Sequence, residues 1–275
     1  MITFPNAKIN LGLNVVARRP DGYHNLETVF YPIGLADALE VVPHDGEVEG
    51  CTLHMGGTPV GGNAADNLVA QAYRLLQTRH RLPPVDAYLH KQIPSGAGLG
   101  GGSADAAFML KMLNELGGLH LSDAELEAHA ASLGADCAFF VRNRPVFATR
   151  IGDRFESVPL TLKGWHLVMV KPDIFVSTRN AFALVRPQRP ALSVREIVGR
   201  PVEAWRDHLK NDFEDSVFPL HPAIGAIKQS LYAHGATYAS MSGSGSSVFG
   251  LFADRPEQAS AWFPDCFVWT GECAV

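Results

Sequence analysis

Apolar and polar positions alternate near the start of the chain. Ile9, Leu11, Leu13 and Val15 fall on one face at a period of two, which predicts a strand. Arg19-Pro20-Asp21-Gly22-Tyr23 follows. Proline fixes φ there, and Asp and Gly tolerate turn geometry, so a tight connection is expected. Residues 26–33 and 39–42 read as further strands, and 43–66 as loops around one short strand at 52–55. Residues 67–77 read as a helix with Leu68, Ala72, Leu75 and Leu76 as its apolar stripe, ahead of Pro83-Pro84. Val85, Ala87, Leu89 and Ile93 then outline a strand with solvent on its other face. A helix is expected from Ser103 to Leu116. Another begins at the capping-box pattern Ser122-Asp123-Ala124-Glu125 and ends near Gly134.

The second half holds strand patterns at 165–170, 237–241 and 248–252, the last two joined by a Ser/Gly loop. Short helices are expected at 177–185 and 194–198. Ile224, Ile227 and Leu231 mark a longer one that Gly235 can terminate. Strands precede helices in both halves without regular βα alternation, which favours an α+β architecture over a doubly wound sheet. At roughly 150 residues per domain, 275 residues suggest two. A boundary near 150–163 would divide the chain into 1–155 and 156–275.

Composition narrows the function. With 47% hydrophobic and 19% charged residues the chain is a folded protein, not a disordered one. Its formal charge of −5 displays nothing basic for nucleic acid or an acidic membrane. No apolar run approaches the ~18 residues of a membrane helix. The opening residues lack a basic-then-apolar leader, so a cytoplasmic location is expected. Cys51, Cys137, Cys266 and Cys273 form no CxxC pair, and no HExxH occurs, so a zinc site is not expected and reduced thiols are.

Chemistry concentrates in Pro94-Ser95-Gly96-Ala97-Gly98-Leu99-Gly100-Gly101-Gly102-Ser103. Glycines permit close backbone approach and unusual φ, and the helix start directly after them offers N–H groups and a positive dipole end to an anion. Phosphate suits such a nest, although a flexible loop before an ordinary helix has the same composition. Residues 96–101 also fit GxGxxG, but the preceding strand is amphipathic, Pro94 interrupts it, and a regular βαβ setting is missing. No Gly-Lys dipeptide exists for a Walker A loop, and GxSxG is absent.

Pro94 to Ala107 resembles the phosphate-binding motif of the GHMP kinases. Three further blocks carry the resemblance, in family order: Pro5-Asn6-Ala7-Lys8-Ile9-Asn10-Leu11-Gly12-Leu13, Gly134-Ala135-Asp136-Cys137-Ala138-Phe139-Phe140, and Ser240-Met241-Ser242-Gly243-Ser244-Gly245-Ser246-Ser247-Val248-Phe249. Arg19-Pro20-Asp21-Gly22-Tyr23-His24 is similar to a branch of that family whose acceptor alcohol carries a cytidyl group, and argues against homoserine or mevalonate as acceptor. The resemblance implies a two-domain α+β fold, its N-terminal part related to a domain of ribosomal protein S5 and its C-terminal part ferredoxin-like. It implies an ATP-dependent kinase acting on the 2-hydroxyl of a methylerythritol unit, with Mg²⁺ inferred from phosphoryl chemistry.

The resemblance also assigns residues. Asp136 matches the catalytic aspartate, which accepts or orients the hydroxyl proton. Read alone, it is equally an Asp in a turn after Gly134. Lys8 matches the catalytic lysine, suited to developing negative charge; read alone, it is a solvated strand lysine. Asn10 lies in the same block, a candidate for substrate or phosphate. Tyr23 and His24 match cytidine-binding positions, through an aromatic face and an imidazole edge. Phe182 matches a second stacking position, where a core Phe would also fit. Asn67, Lys91 and the loop from Pro94 to Ser103 match the nucleotide side. Ser103 could serve phosphate or Mg²⁺, or simply cap its helix. Gly243 and Gly245 would let the third block pack against the glycine loop or the substrate. The chain departs from the family pattern at Ala104, at Cys137-Ala138 and in the Ser-rich third block.

Overall fold

Alternation and capping place the elements in a computed structural model, which describes residues 1–45, 50–61 and 63–273. Parts of the 43–66 region therefore lie outside the described residues. The chain forms two compact units, each discontinuous in sequence.

The first unit comprises residues 1–7, 35–95 and 100–143. Its four described strands lie in the order Ile2–Thr3, Ala38–Pro43, Val85–Lys91, Cys51–Gly57, antiparallel except for the last pair. Val85–Lys91 alternates as expected: Val85, Ala87, Leu89 and Lys91 are buried, while Tyr88 and His90 face solvent. Helix Leu68–Gln77 is capped by the Asn67 side chain. Its buried stripe is Val69, Ala72, Tyr73 and Leu76, one position round from the expected one, and Leu68 and Leu75 are only half-buried. Tyr73 accounts for the rotation. Its ring fills the core while its hydroxyl donates to the Pro83 carbonyl at 2.9 Å, so a polar tip goes inside at little cost. This helix packs against Gly101–Leu116, and Asp123–Leu133 carries both bonds of the Ser122/Glu125 capping box.

The second unit comprises residues 8–34, 96–99 and 144–275. One sheet orders Asn6–Arg18, His24–Ala36, Val146–Arg150 and Arg154–Ser157, the first two strands entering this unit from Lys8 and up to Gly34. The expected strand at 9–15 is thus longer, and it is buried on both faces, so its polar residues Lys8, Asn10 and Asn14 are also inside. A second, antiparallel sheet orders Tyr238–Met241, Val248–Phe252, His166–Pro172 and Cys266–Glu272. Helices Glu214–Leu220 and Pro222–Ala233 belong to the core that covers it, with Val168, Val170, Val217, Ile224, Leu231 and Val248. The expected helix at 177–185 is shorter, Thr178–Phe182. The arrangement is α+β, and all four cysteines are free thiols.

Candidate functional site

In the second unit the lysine of the first block is buried, with 3% exposure, so the solvated-strand alternative falls. Its Nζ donates to Asn10 Oδ1 at 2.6 Å and to the Gly98 carbonyl at 3.1 Å, and lies 5.0 Å from the centroid of the Phe30 ring. Asn10 in turn donates to Thr28 Oγ1 at 3.0 Å, and Thr28 donates to the Gly12 carbonyl. Both ends of the Asn10 amide are therefore engaged within the protein, and its clear part in the geometry is to aim Lys8.

The segment 96–99 is stitched to the same neighbourhood. Lys8 N–H donates to the Leu99 carbonyl at 3.0 Å and Ser247 N–H to the Ala97 carbonyl at 3.3 Å. Ser242 Oγ donates to the Gly98 carbonyl at 2.9 Å and accepts from Asn10 N–H at 3.3 Å. Gly98 sits at φ +75°, and a Cβ there would overlap the Ser242 carbonyl oxygen. Left-handed backbone and close approach together demand glycine. The third block thus packs on the glycine loop, as its glycines led one to expect. Ala97 and Leu99 are buried, while Gly96 is exposed and lies close to Phe175.

In the first unit the helix starts at Gly101, two residues before the expected Ser103, and its N-cap is Gly100 in the left-handed region with no side-chain cap bond. Ser103 is therefore not a cap; it lies in the first turn. The first N–H groups of any helix lack intrahelical acceptors, so this end has donors that could meet an anion. Beside it is a cavity of about 350 Å³, lined among others by Met55, Asn67, Lys91, Ser95, Gly102 and Asp105. That volume suits a small ligand. Asn67 spends its side-chain oxygen on capping Val69 N–H. Lys91 is 4% exposed and its Nζ pairs with both Asp37 and Asp105, the latter at 2.6 Å. Asp37 also accepts from Gln92 N–H and Ile93 N–H at 2.6 and 2.8 Å. Burial pushes the Asp105 carboxyl up to about 7, with Lys91 opposing and Asp37 reinforcing the rise. Lys91 is thus an internal tie as well as a cavity wall. Pro94 is half-buried and Ser95 exposed at the end of this segment.

Asp136 lies half-buried in a turn between Asp123–Leu133 and Phe139–Arg142, held by Cys137 N–H donating to the Gly134 carbonyl at 3.1 Å. Cys137 is buried, and burial pushes its thiol up to about 11 against a hydrogen bond from Ser103. Among the described residues no group of three or more His, Cys, Asp or Glu forms a metal cage. Mg²⁺ that arrives on a nucleotide's phosphates needs only one or two protein oxygens.

The remaining candidates belong to the second unit. His24 and Phe182 stack with ring centroids 4.5 Å apart and planes inclined by 18°, and Phe182 meets Phe213 edge-on at 4.7 Å. Burial and Arg18 lower the His24 pKa, which keeps the imidazole neutral near pH 7. Tyr23, next in the chain, is 64% exposed. A residue the sequence reading passed over is Asn211, whose only local signal is an amide next to acidic residues. Asp37 and Asp105 were passed over too, for want of any local pattern marking them as Lys91's partners.

Models of the GHMP kinase N-terminal domain and GHMP kinase C-terminal domain match residues 67–144 and 182–263. A 4-diphosphocytidyl-2-C-methyl-D-erythritol kinase of Bacteroides fragilis is 58% identical over 272 residues, 99% of each chain. One of Bacteroides thetaiotaomicron is 60% identical over 252 residues, 92% of each chain. A crystal structure of a 4-(cytidine 5'-diphospho)-2C-methyl-D-erythritol kinase superposes with a TM-score of 0.85 at 34% identity, over 98% of both chains. Among the described residues no helix is long and apolar enough to cross a membrane.

Proposed function

The chain belongs to the GHMP kinase family, and from that premise we propose that it transfers the γ-phosphoryl group of ATP to the 2-hydroxyl of 4-diphosphocytidyl-2-C-methyl-D-erythritol, on the non-mevalonate route to isoprenoid precursors. The end-to-end likeness to relatives bearing that kinase's name is the observation that carries the reading.

The hydroxyl oxygen bonds to the γ-phosphorus while the bond from that phosphorus to the β–γ bridging oxygen breaks, and ADP leaves with the electron pair. Asp136 takes the hydroxyl proton. In a loose transition state, orienting that hydroxyl matters more than removing its proton early. The Lys8 ammonium stabilises charge developing on the transferred group and the acceptor oxygen. Its hold on Asn10 and the Gly98 carbonyl supports this role, because an aimed ammonium needs no reorganisation during reaction. The loop from Pro94 to Ser103 receives the phosphates, and the cavity by Asn67, Lys91 and Ser95 receives the rest of the nucleotide. The Ser103 hydroxyl would be an oxygen available to a Mg²⁺ carried on the triphosphate, which would supply charge neutralisation there. Tyr23, His24 and Phe182 bind the cytosine by stacking and, at the neutral imidazole, by one donor and one acceptor.

The test is mass spectrometry or phosphorus NMR of reactions of the purified protein with MgATP and the cytidyl alcohol, homoserine or mevalonate. A new monophosphate ester on the cytidyl alcohol alone, with one ADP per ester, is expected. Product from homoserine or mevalonate instead would replace this acceptor with another of the same family.

A further inference from the structure

Lys8 and the third block both reach the Gly98 carbonyl, and one residue outside every motif braces them. Asn211 is 2% exposed. Its Nδ2 donates to the carbonyls of Met241 and Gly243 at 2.7 and 2.8 Å, and its Oδ1 accepts from Phe213 N–H at 3.0 Å. The two carbonyls flank Ser242, whose hydroxyl holds Gly98. The backbone on either side of Asn211 is tied to the strand that carries Lys8: Leu13 N–H donates to the Lys210 carbonyl, and Asp212 N–H donates to the Leu13 carbonyl, both at 2.8 Å. Asp212 Oδ2 accepts from Val15 N–H at 2.7 Å, and Glu214 Oε1 accepts from Met241 N–H at 2.9 Å. Residues 211–214 thus bracket the Lys8 strand to the Ser242 loop, with Asn211 supplying both donors at the loop's turn.

We propose that Asn211 is a positioning residue for phosphoryl transfer: it fixes the Met241 and Gly243 carbonyls so that Ser242 Oγ and Lys8 Nζ converge on the Gly98 carbonyl. The proposal rests on the kinase reading above. Placement errors near 1 Å cost on the order of a hundredfold in rate, so a loosened bracket is felt in kcat. Substrate affinity is set elsewhere and changes little.

Asn211→Asp keeps the acceptor for Phe213 N–H and removes both donors. A fall in kcat of at least about tenfold is expected, with KM for both substrates within about threefold. Ser242→Ala breaks the next link while leaving Asn211 in place, and should give the same pattern. The double variant should be no slower than the slower single one, because both act through one contact. A kcat within twofold of the parent in either variant, or losses that multiply, would overturn the proposal. Amide hydrogen exchange gives a reading independent of turnover. In either variant Ser247 N–H and Lys8 N–H should exchange faster, while strand amides at Val168 and Val170 keep the parent's rates. Uniform acceleration would mean a merely structural role, and unchanged exchange at Ser247 and Lys8 would refute the bracket. A parent chain that exchanges as expected but makes no ester would count against the kinase reading alone.

Discussion

Two buried lysines, one in each unit, are held in different ways. Lys91 is clamped by the carboxylates of Asp37 and Asp105. Lys8 is aimed by an amide oxygen, a peptide carbonyl and a ring face. Both are almost fully buried, so burial does not separate them. The partner chemistry does. Two buried carboxyl groups, one of them raised to about 7, enclose the Lys91 ammonium, and the cluster ties the strand end at Lys91 to the helix that follows the glycine loop. The amide and carbonyl dipoles beside Lys8 give its ammonium a direction, which suits a group meant to meet a phosphoryl anion. On this view Lys91 serves stability and Lys8 serves rate.

Replacing each lysine by methionine sharpens that contrast. Lys91→Met leaves two buried carboxyl groups without their cation, and breaking a buried pair costs about 3–5 kcal/mol. Denaturant unfolding should register the loss directly. Similar stability to the parent would show that Lys91 is not the tie described. Lys8→Met should lower kcat by roughly 10²–10³, the scale for one preorganised stabilising donor, with a smaller effect on unfolding. Should the stability losses come out reversed between the two variants, the division of labour fails.

Much of this contrast was invisible in the sequence, for physical reasons. The alternation Val85, Ala87, Leu89 puts position 91 on the buried face by simple parity, yet Asp37 lies 54 residues away and only the sheet brings it near. Asn211 is illegible for the same reason: its acceptors are backbone carbonyls some 30 residues on, which carry no side-chain signature. The Ser122/Glu125 box was legible because every atom in it is local. The start of the helix after the glycine loop was misplaced because glycine is a poor helix former. Packing overrides that propensity, since a Cβ on Gly101 would come within 2.8 Å of the Ile93 side chain. Strands Arg154–Ser157 and Cys266–Glu272 went unread because their residues are mostly exposed or half-buried and alternate weakly.

The finest cut within the Lys91 cluster is a pH experiment on Asp105→Asn. In the folded chain the Asp105 carboxyl titrates at about 7, raised first by burial, against about 3.9 for an unfolded aspartate. Between those values the folded state holds a proton that the unfolded state has released. Stability from this group is therefore fully present below about pH 4 and is lost as pH rises through about 7, at up to about 1.4 kcal/mol per pH unit. Asparagine, neutral throughout, carries no such loss. Unfolding free energies measured from pH 4.5 to 8 should show the variant gaining on the parent as pH rises, with the difference levelling above about 7. A difference running the other way would mean that Lys91 holds Asp105 ionised. The cluster would then be a full ion triad, its cation flanked by two charges and its tie stronger at neutral pH than in acid.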